Sequence, residues 1–281
     1  MHRPTRRQFL KGAATAFGAV ATTGAYAWQV EPRWVSLVRR VLPIAGLPPA
    51  LVGKSLVQLS DLHVGPIVRD DYVLGVFREV QRLDPDIVVV TGDWITDHPG
   101  IQAQAERVYA QLPRGRLATL GILGNHDYGH GWLDQRRGDA VAAIARSAGC
   151  TMLRNELTEV AGLQVAGMDD LWATAFRPEQ ALRALDASRP MLALSHNPDT
   201  VDLPGWGPFR GWILAGHTHG GQVKPPFLTP PIIPVRNLRY TSGAFALDEG
   251  RSMYISRGVG FTLQVRFNAR PEVTLFTLER A

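Results

Sequence analysis

Past Lys54 the chain repeats one pattern: a short run of β-branched and apolar residues ends abruptly in polar ones, and an amphipathic stretch follows. Leu56-Val57-Gln58-Leu59 runs into Ser60-Asp61-Leu62-His63. Asp70 is then the predicted N-cap of a helix that carries Val73, Leu74, Val76, Phe77, Val80 and Leu83 on one face and is stopped by Pro85. Ile87-Val88-Val89-Val90 runs into Thr91-Gly92-Asp93, with a helical stretch over 101–112. The run 117–123 ends at Gly124-Asn125-His126-Asp127, ahead of a helix near 139–148.

The second half changes character. Strands are predicted at 163–167, 191–194 and 212–215, with one helix near 179–185. The alternating runs 241–247, 252–255, 261–267 and 273–278 read as antiparallel strands. Two sheets stacked face to face, with helices on their outer faces, accommodate both patterns and bury both sheets. The fold class is therefore α/β (α+β), with one large domain over 54–281. Residues 28–53 read either as an amphipathic segment at a membrane surface or as a linker or cover strand.

Composition sharpens this picture at the front of the chain. The 281 residues carry a formal charge of +5. Four of the 30 basic side chains (Arg3, Arg6, Arg7, Lys11) and none of the 25 acidic ones fall within residues 1–27. The body is thus near neutral and has no dense basic run, so no nucleic-acid partner is expected. The basic start precedes an uncharged stretch over 12–29, and Ala25-Tyr26-Ala27 suits a signal peptidase. Thr5-Arg6-Arg7-Gln8-Phe9-Leu10-Lys11 resembles the twin-arginine motif, which is read by the export machinery. Residues 1–27 are accordingly expected to be a signal peptide or a membrane anchor. The chain would then lie in the periplasm or on the outer face of the cytoplasmic membrane. Cys150 is the only cysteine, so no intramolecular disulfide can form, and its apolar neighbours predict a buried thiol.

The polar clusters at the predicted strand ends hold five of the eight histidines. Asp61-x-His63, Gly92-Asp93, Gly124-Asn125-His126-Asp127, Ser195-His196-Asn197 and Gly216-His217-x-His219 supply carboxylate, imidazole and amide oxygen. This mixed N/O donor set suits Mn, Fe or Zn rather than Ca, and without thiolates it does not suit a structural zinc knot. His98 and His130 lie outside the clusters and read as surface residues.

These five motifs, in this order, resemble those of the calcineurin-like metallophosphoesterases over residues from about 56 to 222. The longer forms around Asp61, His196 and His217 resemble the YkuE/YaeI-type phosphodiesterase branch. The resemblance implies a four-layer αββα sandwich and two divalent metal ions. Asp61, His63 and His219 would hold one ion, Asn125, His196 and His217 the other, and Asp93 would bridge them. It also implies phosphoester hydrolysis by a metal-activated hydroxide, with His126 assisting the leaving oxygen and Asp127 orienting His126. Arg257, in a late segment similar to that of the branch, is a candidate phosphate contact. Trp94, beside Asp93, is a candidate for lining the cleft.

The substrate readings that follow are a phosphodiester or a pyrophosphate. The alternatives are a lipid-A-pathway enzyme cleaving UDP-2,3-diacylglucosamine at its pyrophosphate and, fitting the outer face better, a phospholipid head-group hydrolase. A catalytically silent metal-binding scaffold is the non-enzymatic alternative, and it would call for missing ligands where none is missing. Residues 223–234, rich in proline and apolar side chains, follow the last ligands directly. They are expected to form either a lip for a lipid-bearing phosphate or a membrane contact, or to pack as an ordinary loop.

Overall fold

The computed structural model describes residues 5–248 and 250–281, so Arg3 lies outside the described residues. Its strands in chain order are β1 (Ser36–Ile44), β2 (Ser55–Leu59), β3 (Ile87–Thr91), β4 (Ala118–Ile122), β5 (Thr151–Met152) and β6 (Glu156–Val160). β7 (Leu163–Gly167), β8 (Met191–Leu194), β9 (Trp212–Ala215), β10 (Gly243–Ala246), β11 (Ser252–Ile255) and β12 (Glu272–Arg280) follow. They form two six-stranded sheets, ordered β1-β12-β2-β3-β4-β5 and β10-β11-β9-β8-β7-β6.

β2, β3 and β4 run parallel in the first sheet, as do β7, β8 and β9 in the second. All-parallel neighbours buried on both faces explain the unbroken apolar runs, of which Ile87–Thr91 is fully buried. Parallel pairing also opens the carboxyl ends of several strands at one end of each sheet, where loops can converge on a ligand.

The sheets face each other across a layer of Leu56, Val89, Ile122, Val165, Leu192 and Leu214. The outer face of the first sheet is covered by α2 (Asp70–Arg82), α3 (Ile101–Tyr109) and α4 (Gln135–Ser147). Phe77 of α2 is buried there beside Val57 and Val90. Truncating such a side chain to alanine costs ~3–5 kcal/mol. The outer face of the second sheet is covered by the single-turn helix Pro178–Ala181 together with Trp206, Phe209 and Tyr240. The expected two sheets flanked by helices are therefore present.

Several expectations need correction. Of the readings of residues 28–53, the cover strand is the one present, over Ser36–Ile44, rather than a surface helix or a linker: β1 pairs over nine residues with β12, whose long run offers it a full edge. The run 261–267 forms no strand. Its backbone turns instead to two other segments: Arg266 N–H donates to Ala27 O, and Phe267 N–H to Gln222 O. The late strands are not all antiparallel, since β11 runs parallel to β9. Asp70 is the first residue of α2 rather than its cap, and with Asp71 it sets negative charge against the helix N-terminus.

The N-terminal helix, α1 (Arg6–Ala25), opens on a capping box between Thr5 and Gln8 and buries none of its residues. No helix among the described residues is long and apolar enough to cross a membrane. The helix leads into a turn, Tyr26–Val30, in which Ala27 is buried against the domain.

Candidate metal centre

Every predicted ligand sits just past the end of a parallel strand: Asp61 and His63 after β2, Asp93 after β3, Asn125 after β4, His196 after β8, and His217 and His219 after β9. The turns that aim them are tight. Asp61, His63, Asp93, His217 and His219 all have positive φ, between 49° and 71°. Backbone in that region is costly for residues with a side chain and collects at functional sites. Hydrogen bonds hold it there. Asp61 N–H donates to Gly92 O and His63 N–H to Asp93 O, both at 3.0 Å, while His217 N–H donates to the Asp61 carboxylate at 3.0 Å. Gly92, at φ 89°, leaves room for the His196 ring, which a Cβ would approach to 2.6 Å.

The side chains converge in two groups that share one residue. Ligand atoms of Asp61, His63, Asp93 and His219 lie within 4.8 Å of one another, and so do those of Asp93, His196 and His217. Asp93 Oδ2 stands 3.5 Å from His63 Nε2 and 3.2 Å from His196 Nε2. Two pairs of imidazole nitrogens also face each other: His63 Nε2 and His219 Nε2 at 3.1 Å, and His196 Nε2 and His217 Nδ1 at 3.2 Å. Asn125 is fully buried, yet neither its Oδ1 nor its Nδ2 has a hydrogen-bond partner. Orphaned amide oxygen, facing nitrogens and a central carboxylate are the polar groups that a pair of cations would satisfy. The donor set therefore fits two metal ions.

The electrostatics agree. Burial pushes the imidazoles of His63 and His217 down to about 3 and that of His219 well below its ordinary value, which keeps them neutral and able to donate a lone pair. Burial disfavours the Asp93 anion, but His196 and His126 outweigh it and hold the carboxyl well below the usual range. For His196, burial opposes the charge, while Asp93, Asp61 and Asp170 overcome it and raise the imidazole to about 10. Orientation is fixed from behind. His196 Nδ1 meets Thr91 O at 2.8 Å and His63 Nδ1 meets Thr96 Oγ1 at 3.0 Å, leaving each Nε2 free for the centre.

The residue pattern Calcineurin-like phosphoesterase matches positions 54–221, the span that supplies all seven of these side chains. The chain belongs to the calcineurin-like phosphoesterases. It is a metal-binding phosphate-ester hydrolase of that family. It is 33% identical to the uncharacterized metallophosphoesterase YkuE of Bacillus subtilis, with 99% of each chain covered. It is 31% identical to the phosphodiesterase YaeI of Escherichia coli, covering 98% of this chain and 99% of that one. The UDP-2,3-diacylglucosamine pyrophosphatase LpxG of Chlamydia trachomatis is 25% identical, with 93% and 94% covered.

Around the centre the phosphoesterase departs from two expectations. Trp94 does not line a cleft: it is fully buried, donates its indole N–H to Ile122 O at 2.8 Å and packs on Tyr109. Asp127 does not orient the His126 ring. Its two oxygens accept from the backbone N–H groups of Ile95 and Gly124, at 3.0 and 2.8 Å, so it shapes the loop that presents Asn125 and His126. Arg257 packs its stem on Gly220 and sets its Nε 2.7 Å from a Glu272 oxygen, a pairing that engages one of the three guanidinium nitrogens. His126 itself is half-exposed, its ring 4.9 Å from that of His63 and its N–H on Asp93 Oδ1 at 2.9 Å.

Three further groups carry no local signal in the sequence. Arg266 is fully buried behind His219 and donates to the carbonyls of His219, Arg257 and Ala269. Asp170 is buried near His196 with one oxygen unpaired, and burial raises its carboxyl to about 6. Trp132 and Trp172 stack at 4.9 Å between centroids. Trp132 meets the His126 ring edge-on at 5.9 Å, and Trp172 meets that of His217 at 4.4 Å. The pair is half-exposed and walls the centre between His126 and His217.

Proposed function

We propose that the enzyme hydrolyses a phosphodiester or a pyrophosphate whose phosphate sits over the shared carboxylate of Asp93. The observation that carries this reading is the pair of ligand groups meeting at Asp93. Two cations held there would supply positive charge to the phosphate oxygens and an acidified water as nucleophile. The chain's own part is to fix geometry. Asp61, His63 and His219 orient one side, Asn125, His196 and His217 the other, and Asp93 spans both. His126, at the open edge and beside the Trp132–Trp172 wall, is placed to give a proton to the departing oxygen or to neutralise its charge. The decisive experiment is metal analysis combined with a substrate panel. Bis-p-nitrophenyl phosphate should be cleaved faster than p-nitrophenyl phosphate, and a chelator should abolish turnover until Mn, Fe or Zn is restored. Equal or greater activity on the monoester refutes the diester reading.

A lipid-linked substrate is favoured by the exposed apolar loop 223–234 beside the ligands, and by the pyrophosphatase named among the relatives. Activity on a UDP-linked acylated sugar against a phospholipid would separate the two lipid readings. Export by the twin-arginine route to the periplasm, or to the outer membrane face, is supported by Arg6-Arg7 on a helix with no buried residue, free for a receptor. Replacing both arginines by lysine should stop export of a reporter fusion, and continued export would rule that route out.

A further inference from the structure

Three segments distant in sequence meet beside the metal centre, and each turns apolar side chains to solvent. Residues 222–234 present Phe227, Leu228 and Ile232, the first of them wholly exposed and the last 78% exposed. Residues 261–269 present Leu263, 67% exposed, and Val265. Residues 26–34 present Trp28 and Trp34, each about half-exposed.

Backbone hydrogen bonds tie these segments into one face. Val223 bridges Phe267, and Lys224 N–H donates to Phe267 O at 2.8 Å. Gln222 Nε2 donates to the carbonyls of Leu263 and Val265, both at 3.3 Å. Arg266 N–H donates to Ala27 O at 2.9 Å, Gln264 Nε2 to Trp28 O at 3.2 Å, and Ala269 N–H to Glu31 Oε1 at 2.7 Å. The same Arg266 donates to His219 O, so the face is fixed to the centre.

The partition within 263–266 is inverted. A guanidinium is buried there while its apolar neighbours Leu263 and Val265 point outward, the reverse of what folding alone favours. Clustered apolar exposure of this kind marks an interaction surface rather than scattered surface residues.

What leaves this face argues for its occupant. The N-terminal helix runs out of the Tyr26–Val30 turn, exposes Phe9, Leu10, Phe17 and Val20, and carries Arg6, Arg7 and Lys11 with no acidic residue. It is too polar to cross a bilayer, and an exposed helix of this composition suits the plane of an anionic interface. Trp28 and Trp34 add indoles of the kind enriched at headgroup level, and Arg270 lies over the Trp34 ring at 3.9 Å.

We infer that this face docks on an anionic bilayer and holds the metal centre at its surface, where phosphates of membrane lipids or lipid-linked intermediates lie. The inference rests on the phosphoesterase reading only for what is cleaved there.

The test is co-sedimentation of the full chain with vesicles of phosphatidylglycerol and phosphatidylethanolamine. The variant Phe227→Ser/Ile232→Ser/Leu263→Ser should lose at least ~10-fold in partitioning, since three large apolar contacts are removed. Its thermal unfolding, metal content and turnover of soluble bis-p-nitrophenyl phosphate should stay unchanged. Leu263→Ser/Val265→Ser alone should lose several-fold, showing that the second segment shares the face. Vesicle binding by the triple variant equal to that of the unaltered chain overturns the inference, because the helix would then carry the binding by itself. So does a full chain that ignores vesicles, including one that pairs with a second copy through this face. If vesicle binding falls as expected but no soluble diester is ever cleaved, the docking face stands and the diester reading fails.

Discussion

The guanidinium of Arg266 lies 3.3 Å from His219 Nδ1 and donates to the carbonyl of the same histidine at 3.3 Å. It thereby holds the backbone turn that aims Nε2 at Asp61 and His63. Arg266→Ala would leave several buried carbonyls unpaired, at a cost of about 3 kcal/mol or more. We expect a lower unfolding temperature and loss of the ion held by Asp61, His63 and His219 before the other. A purified variant with both ions at full occupancy would contradict this.

Asp93 is the one ligand common to both groups. Asp93→Asn removes the anion that offsets repulsion between two cations, so bound metal should fall from two ions to at most one per chain. Turnover should drop at least ~10²-fold, the scale of losing a main electrostatic contributor. Elemental analysis of the purified variant checks the first outcome and steady-state kinetics the second.

His126 reaches the centre from the open side without belonging to either ligand group. His126→Ala should retain both ions and lose ~10²–10⁴ in turnover, the usual range for general acid–base groups. Full turnover would remove His126 from the chemistry.

Metal uptake should be coupled to one particular proton. In the metal-free site the imidazole of His196 is raised to about 10, so at pH 8 it is protonated and must lose its proton to become a ligand. His63 and His217, held down at about 3, have none to lose. Affinity at the Asn125, His196 and His217 half should thus rise about tenfold per pH unit from pH 7 to 9. Calorimetry at pH 8 in two buffers of different ionisation heat should register at least one proton released, that of His196, with any from acidified water in addition. Proton-neutral binding would show that His196 is already neutral.

The stacked Trp132 and Trp172 border the centre between His126 and His217, and we expect them to receive the substituent of the phosphate. Trp172→Ala should raise the KM for bis-p-nitrophenyl phosphate by ~3–10-fold, the scale of one aromatic contact, with kcat and metal content little changed. An equal effect on a dialkyl ester would indicate steric shaping rather than stacking.

The clusters that hold the ligands were readable in the sequence because each follows an apolar run that stops at a polar turn, and the family resemblance then implied which of their residues are ligands. Asp93 and His217 each follow a glycine at a strand end, and Asp61 follows the apolar run that stops at Ser60. Other features had no such mark. Residues 36–44 carry arginines and a proline in an uneven pattern, and only the free edge of β12 makes them a strand. Trp94 borders a ligand yet turns into the core, because Tyr109 and the Ile122 carbonyl receive it there. Asp127 reads as a partner for its neighbour His126, but its oxygens meet two backbone N–H groups instead.

By itself the sequence marked the ends of the parallel strands and the polar clusters that follow them, since turn chemistry and side-chain period act over a few residues, and the family resemblance implied which seven side chains in those clusters are donors. Tertiary structure alone decided which strand lies beside which, that Arg266 supports His219 from 47 positions away, and that three remote segments form one apolar face. Such pairings depend on surfaces that exist only after the sheets have stacked.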